Sequence, residues 1–437
     1  MRGVRVWQRL LGVERAVVER VEWSEEGGDG GGFVVAHVRL HAGARSRCGV
    51  CRRRCVGYDR GEGRRRWRAP DLGTVRVVIE ADAPRVSCRV HGVVVAAVPW
   101  ARHGAGHTLA FDEMVAWLAT VASKSAVRQL MRVAWSTVGA IVARVWADTG
   151  GAVDRFAGLT RIGIDEISYR RGEKYLTVVV DHDSGRLLWV HPGRHEATLN
   201  LFFDLLGPQR CAALRLVSAD GAPWIARVVA RRCPQAVRCA DPFHVVAWAV
   251  DALDVVRRQA WNNAVGRVRG PAKGGPGGRG VSAELKRCRW ALWKNPENLT
   301  QKQTAQLAWI ARTDSRLHRA YLLKEGLRYA FTVKGQAGRE AIDRWISWAR
   351  RCRIPAFVDL SRRIVRHRDA IDAALDHGLS NALVESTNAK IRLIIRMAYG
   401  FRNIDALISM ALLSLGGHRP TLPGRTRPPT LPQPTHG

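Results

Sequence analysis

Three acids stand where a divalent metal could be held. Asp165 closes the short apolar run Arg161-Ile162-Gly163-Ile164, and Asp220 follows Leu214-Arg215-Leu216-Val217-Ser218-Ala219. Glu385 lies in Val384-Glu385-Ser386-Thr387-Asn388-Ala389-Lys390, a segment with helical spacing. A single acid after a strand is commonly turn or cap chemistry, and Asp-Gly is a turn signal. Two acids after neighbouring strands project from the same sheet edge, which turn chemistry does not require. Three hard oxygen ligands suit Mg²⁺ or Mn²⁺. Two such ions about 3.5–4 Å apart activate an attacking oxygen and stabilise a leaving one in phosphodiester chemistry. Glu385, Asn388 and Arg392 are spaced to share one helix face, and Lys390 and Arg396 add positive charge nearby. Asp241 also ends an apolar run and competes with Asp220 for the place of second acid. We read Asp220 as the ligand, with Asp241 and His244 of Asp241-Pro242-Phe243-His244 as auxiliary residues. His244 either positions a scissile phosphate or simply hydrogen-bonds Asp241 at a helix start. Glu166 and Asp181 are read as non-ligands, Asp181 as a turn residue.

A second constellation uses sulfur. The chain has nine Cys, an odd number, and no secretory leader pattern, which argues against a disulfide framework. Cys48-Gly-Val-Cys51 is a C-x2-C knuckle and Cys88-Arg-Val-His91 is C-x2-H. Two knuckles supply the four thiolate and imidazole ligands of a structural Zn²⁺. Spacing leaves Cys55 as a substitute for one of the four, with His103 and His107 as further spares. Arg64–Trp67 and Thr74–Ile79 read as turn and strand within the same zinc ribbon.

These residues need elements to hold them. Residues 1–100 read as an N-terminal region with the zinc module. Within it, Leu10–Val21 is helical or strand-like, 25–32 is a flexible turn, and Val34–Leu40 is a strand. Residues 108–150 contain Phe111–Ala122, Ser125–Met131 and Ser136–Trp146 at helical spacing. Ser136 and Thr137 are the expected caps of the last stretch. Val138, Ile141, Val142 and Val145 fall on one of its faces. Short helix, tight turn and longer helix make a helix-turn-helix, with Lys124, Arg128, Arg132 and Arg144 at or near its DNA-facing surface. Residues 158–262 give three strands in a meander (161–165, 175–180, 186–190). Then follow a helix near 197–206, a strand 214–218, a helix 223–232, a strand 237–240 and a helix 245–261. That order is a mixed sheet with helices on both faces, the α/β ribonuclease-H-like arrangement, in which the first and fourth strands are neighbours. Residues 263–375 read as a basic Gly/Pro linker (266–281) and a Trp-rich helical insertion, 376–416 as final helices of the core, and 417–437 as a disordered tail.

Lys and Arg number 70 against 38 Asp and Glu, a formal net charge of +32. Such a surface seeks a polyanion, most simply nucleic acid. An apolar fraction of 46% excludes a wholly disordered basic protein, and no apolar run reaches the ~18 residues of a membrane span. A cytoplasmic location is expected.

The strand ending Gly163-Ile164-Asp165-Glu166, the Ser218-Ala219-Asp220 end, Asp241-Pro242-Phe243-His244-Val245 and Glu385-Ser386-Thr387-Asn388 together resemble the ISL-type family of bacterial insertion-sequence transposases. The Cys knuckles followed by a helix-turn-helix strengthen the resemblance, which runs over about residues 40–416. It implies a DDE transposase with Asp165, Asp220 and Glu385 as the acidic triad and a ribonuclease-H-like core interrupted by a helical insertion. It also implies double-stranded DNA, at the element ends and the target, as partner. Pairing two ends implies a homo-oligomer in the DNA complex. A nuclease acting by hydrolysis alone, or a non-catalytic DNA-binding regulator, would share many of these features. A joining assay, loss of function on removing the acids, and inverted repeats in the flanking DNA separate them.

Overall fold

A computed structural model describes residues 2–25, 32–220, 222–269, 278–401 and 403–425. The chain forms two compact units, Met1–Arg155 with Ile391–Gly437, and Phe156–Lys390. The predicted turn at 25–32 falls almost wholly outside the described residues. So do 270–277 of the predicted linker and 426–437 of the predicted tail. The described flanks of that linker are helical, ending Pro242–Arg269 and opening Gly278–Arg287. With no Pro and only one Gly between 245 and 269, nothing in the sequence stops the first of these helices at Trp261. Residues 418–425 carry no helix or strand.

In the first unit a helix, Arg2–Leu10, precedes a four-stranded sheet ordered Ala16–Ser24, Phe33–Leu40, Val75–Asp82, Arg64–Leu72. The segment Leu10–Val21, which reads as either helix or strand, is the last residue of the helix, a turn and then strand from Ala16. Arg64–Leu72 and Val75–Asp82, in the stretch expected to form the zinc ribbon, are both strands and pair into this sheet, so Arg64–Trp67 is strand and not turn. Alternation explains the choice: Trp67, Ala69, Val77 and Ile79 face a core shared with Val18, Ala36 and Val38. Trp67 meets Trp100 edge-on at 5.6 Å. The ribbon's own sheet is smaller, built from Val56–Asp59, Arg85–Cys88 and Gly92–Val95.

Three helices follow, Leu109–Val121, Lys124–Met131 and Trp135–Ala152. The side chains of Thr108 and Ser123 cap the first two. The expected cap at Ser136 or Thr137 is not used. The third helix begins one residue earlier, after Ala134 and without a side-chain cap. Its start is fixed instead by Arg132, whose left-handed φ of 51° ends the short second helix and turns the chain. Val138, Ile141, Val142 and Val145 are buried with Phe111, Val115 and Val127. Met410 and Leu413 of the closing helix, Ile404–Leu415, enter the same core.

The second unit is built on a five-stranded sheet. In chain order its strands are Arg161–Arg170, Lys174–Asp181, Leu187–Pro192, Leu216–Ala219 and Val237–Ala240. Their spatial order is third, second, first, fourth, fifth, with the first three antiparallel and the last two parallel to the first. This is the expected mixed α/β order, with the first and fourth strands side by side. Ile162, Ile164, Val217 and Ala219 point to one face, where Leu199, Phe202 and Phe203 of helix Glu196–Leu206 and Ile225 and Val228 of helix Pro223–Arg232 cover them. Leu216 and Cys239 point to the other face and meet Ala373, Ala374 and Leu379. Between the fifth strand and the acidic helix Ala382–Met397 lies an all-helical insertion with its own core, in which Trp345 is buried and donates its indole N–H to Leu323 O at 2.7 Å.

Candidate active site and metal centres

Register places the acids. The ladder between the first and fourth strands ends at Ile164↔Ala219, and that between the fourth and fifth ends at Ala219↔Ala240. The next positions are Asp165, Asp220 and Asp241, so the three acids follow the last paired rungs of three adjacent parallel strands. Parity adds a second constraint. Side chains alternate faces along a strand, so Asp165 shares a face with Gly163, Asp220 with Ser218 and Asp241 with Cys239. That is the face on which the acidic helix packs. The first strand itself does not end at Asp165. It continues to Arg170 through its antiparallel pairing with the second strand, where Asp165 opposes Val178. Only its parallel pairing stops at the acid.

Gly163 is what lets the helix come so close. A Cβ there would sit 2.4 Å from Val384 Cγ2 and 2.8 Å from His182 Nε2. Val384 precedes Glu385, so the missing methyl at 163 sets the height of the glutamate above the sheet. Ligand atoms of Asp241, His244 and Glu385 all lie within 4.8 Å of one another. Asp165 feels the charges of Asp220, His244 and Glu385; burial first, and these acids after it, push its carboxyl up to about 6. Crowded carboxylates of this kind ask for a cation. A buried acceptor without a partner, Oδ1 of Asn388, asks for the same. The convergent set is two carboxylates and an imidazole, Asp241, His244 and Glu385, and does not include the expected ligands Asp165 and Asp220; its carboxylate oxygens suit Mg²⁺ or Mn²⁺.

The acids differ in what already occupies them. Asp241 is buried, its Oδ1 accepting from Asn381 N–H and its Oδ2 from both the N–H and Nδ1 of His244, the latter at 2.7 Å. Burial raises its carboxyl, but His244 and the Asn381 N–H outweigh it and hold Asp241 low. In return Asp241 raises the imidazole of His244 against the opposing effect of burial, with Asp220 and Asp165 adding to the rise. Asp220 accepts Ala222 N–H on Oδ1 at 2.9 Å, a turn just before the following helix, whose N-cap Ala222 has no side-chain cap. Glu166 points to the opposite face, where Arg194 and Trp224 meet it. Burial, with Asp220 next, takes its carboxyl up to about 7. Asp181 accepts from Asp183 N–H and Ser184 and closes the turn after the second strand.

The sulfur site is equally compact. Sγ of Cys48, Cys51 and Cys88 and a ring nitrogen of His91 lie within 4.8 Å of one another. Cys51–Cys88 is 3.8 Å, Cys48–His91 is 3.7 Å and Cys88–His91 is 3.6 Å. A tetrahedron with ~2.3 Å Zn–S bonds has edges of about 3.7 Å, which these three separations match. Backbone N–H groups of Val90 and His91 draw the Cys88 thiol down to about 6. Cys55 stands outside the four, its thiol turned to Arg53 O. His107 stacks on Phe111 beside Asp112, within the helical core and away from the sulfur cluster.

The basic candidates separate by what they touch. Arg128, Lys390, Arg392 and Arg396 are exposed. Lys124 is half-buried, its ammonium 4.7 Å from the centre of the Trp135 ring, and burial lowers its pKa. Arg132 donates to Thr74 O at 2.8 Å. Arg144 grips Asp112 with two bonds of 2.9 Å, and Asp112 is fully buried. That guanidinium binds the first helix of the trihelical region to the third. Arg144→Ala is expected to destabilise this region by ~3 kcal/mol, the cost of leaving a buried carboxylate with only the longer bond from Arg102, at 3.3 Å, of its two guanidinium partners. A thermal melt reads it, and an unchanged melting temperature would refute it.

Comparison with known proteins agrees with the geometry. A family profile described as a transposase, of the ISL3 DDE type, matches residues 162–411. The helix-turn-helix domain of transposase family ISL3 matches 96–146. The zinc-finger of transposases IS204, IS1001, IS1096 and IS1165 matches 44–91. The chain is 61% identical over 99% of its length to the transposase for insertion sequence element IS1557 of Mycobacterium tuberculosis, all of whose length is covered. It is 27% identical over 91% of its length to the transposase for element IS1001 of Bordetella parapertussis, with 95% of that chain covered. A zinc-type cysteine cluster, a helix-turn-helix and a ribonuclease-H-like sheet with acids along one edge occur in the order that these profiles share, and the chain belongs to the ISL3 family of DDE transposases.

Proposed function

We propose that this chain binds the terminal inverted repeats of an insertion sequence and carries out metal-dependent cleavage and strand transfer, with Asp165, Asp220 and Glu385 as the metal ligands. The observation that carries the ligand choice is the row of acids at the ladder ends facing the helix of Glu385. Asp220 is preferred to Asp241 because Asp241 is buried with its Oδ2 paired to the His244 imidazole at 2.7 Å, whereas Asp220 is half-buried and accepts Ala222 N–H on Oδ1. A divalent pair supplies Lewis-acid stabilisation of the attacking and leaving oxygens. The protein's own part is positioning and neutralisation. Asp165 and Glu385 face each other across the site, one from the sheet and one from the helix. His244, whose imidazole Asp241 makes more basic, stands to meet a phosphate oxygen. Cleavage of a P–O bond by water frees a 3′-hydroxyl at the element end. That hydroxyl attacks a target phosphodiester, forming one P–O bond as another breaks and a target 3′-oxygen leaves.

The domain reading follows the same lines. Residues 1–100 and 108–150 serve as DNA-binding modules, 158–262 with 376–390 as the catalytic core, and 263–375 as the insertion; the helix Ile404–Leu415, expected in the catalytic core, instead packs with the helices of 108–150. Zn²⁺ on Cys48, Cys51, Cys88 and His91 shapes the first module. Arg128, Lys390, Arg392 and Arg396 contact phosphate, and a homo-oligomer joins two ends. No described helix is long and apolar enough to cross a membrane. The test is incubation of the full chain with DNA carrying the element's flanking repeats and Mg²⁺, scored for end cleavage and for joining to a target. Hydrolysis without joining would reduce the proposal to a nuclease. Salt provides a check on the basic residues: Arg128→Ala should flatten the slope of log affinity against log salt by about 1 if Arg128 neutralises one phosphate.

A further inference from the structure

The acidic helix must hold Glu385 at one height and one rotation above the sheet edge, and two asparagines stand where they can do so. Asn381 precedes Glu385 by four residues and Asn388 follows it by three. At 3.6 residues per turn all three share one face, with Glu385 between. Asparagine is a poor helix former and is rarely buried. Here Asn381 is 0% and Asn388 2% exposed. Each reaches the sheet. Asn388 Nδ2 donates to Asp165 Oδ2 at 2.8 Å. Asn381 Oδ1 accepts from Ser218 Oγ on the fourth strand, and its backbone N–H donates to Asp241 Oδ1 at 3.1 Å. The same asparagine begins the helix, its carbonyl accepting Glu385 N–H at 2.9 Å. Ser218 is tied in turn to His182 Nε2 at 2.7 Å. Asp165 has its second oxygen on Glu166 N–H at 2.7 Å, so with Asn388 both of its oxygens are oriented.

We infer that Asn381 and Asn388 are positioning residues of the catalytic centre: a two-point clamp that sets Glu385 and orients Asp165 for cation binding. Neither is needed merely to fill space, since an aliphatic side chain would pack there without bringing a buried amide. The clamp joins the helix to all three parallel strand ends, through Asp165, Ser218 and Asp241. Its energetic role is pre-organisation. Ligands oriented by such hydrogen bonds typically lose ~10–100-fold in metal affinity or activity when the orienting partner is removed.

The inference rests on the proposed metal site, and the experiment keeps the two apart. Mn²⁺ binding to the zinc-loaded full chain is followed by the electron paramagnetic resonance of free Mn²⁺, alongside end binding and thermal melting. The proteins compared are wild type, Glu385→Gln, Asn388→Ala, Asn388→Ser and Asn381→Ala. Wild type should bind Mn²⁺ and Glu385→Gln should lose it; failure of that pair overturns the metal site itself. Given that pair, Asn388→Ala should weaken Mn²⁺ at least about tenfold, with end affinity unchanged and cleavage partly restored at high Mn²⁺. Asn388→Ser, which keeps a shorter donor, should fall between and serves if the alanine variant does not fold. Asn381→Ala should also weaken Mn²⁺, by displacing Glu385. Mn²⁺ affinity equal to wild type in folded Asn388 variants would overturn the clamp, as would loss that tracks the melting temperature alone.

Discussion

Glu385→Gln should abolish end cleavage and strand transfer while leaving end binding within about twofold. The substitution keeps size and hydrogen-bonding capacity and removes one negative charge. If the glutamate is a ligand, the transition state loses several kcal/mol of electrostatic stabilisation, and ~4 kcal/mol is about 10³-fold in rate. Gel-shift and cleavage assays on the same DNA separate the effects. Retained cleavage by the glutamine variant would remove Glu385 from the centre and with it the triad. A companion result distinguishes a metal site from a structural cluster. Asp165 lies among like charges, and burial with those charges raises its carboxyl to about 6. Asp165→Asn should therefore be catalytically dead, yet at least as stable as wild type without divalent metal. Relief of ~1 kcal/mol of repulsion would raise the melting temperature by about 2–4 °C for a unit of this size. Mg²⁺ should stabilise wild type and not the variant. A large loss of stability in Asp165→Asn would instead make the hydrogen bonds to Glu166 and Asn388 the reason for an acid at 165.

The sequence made the catalytic sheet readable because its strands are short, apolar and separated by strong turn signals. Helix Pro223–Arg232 and strand Val237–Ala240 stand where spacing placed them. The acids were readable for the same reason, each following an apolar run. What spacing could not supply was partnership. Arg64–Leu72 and Val75–Asp82 look like ribbon strands in sequence because their neighbours in the chain are the knuckles. Arg64–Leu72 pairs with Val75–Asp82, but the other partner of Val75–Asp82 is Phe33–Leu40, which lies far upstream and shares its core. Arg144 looked like a phosphate contact because a charge on an amphipathic helix usually faces solvent. A buried Asp112 two helices back claims it. Asn388 was visible as a neighbour of Glu385 on the helix face. Asn381 gave no signal except its distance of four residues, which means nothing until Ser218 and Asp241 are known to lie opposite. Gly163 is similar. A glycine within a strand hints at a close approach, but not that the approaching group is the residue before the third acid.

Removing zinc should be the most damaging single change outside the acids. Structural zinc in small modules contributes an apparent ~10–16 kcal/mol of folding free energy at neutral pH, comparable to the ~5–15 kcal/mol net stability of a whole domain. The three-stranded sheet beside the four ligands is short, with Val56 and Tyr58 of its first strand exposed and Val86 of its second buried. Cys88→Ser should release the metal, because Cys88 is buried, contacts both Cys51 and His91, and has the backbone N–H groups of Val90 and His91 stabilising its thiolate. Elemental analysis should fall from one zinc per chain to none. Specific binding to the element ends should fall ~10–100-fold, the loss expected when one module's base contacts disappear. The catalytic unit, whose core contains none of these ligands, should keep its far-ultraviolet signature and its Mn²⁺ site. Cys55→Ser is the control. Its thiol lies on Arg53 O rather than among the four ligands, so zinc content and end binding should both remain at wild-type values. Zinc loss in Cys55→Ser with retention in His91→Ala would reassign the fourth ligand to Cys55. Full end binding by zinc-free Cys88→Ser would show that the helix-turn-helix alone recognises the DNA.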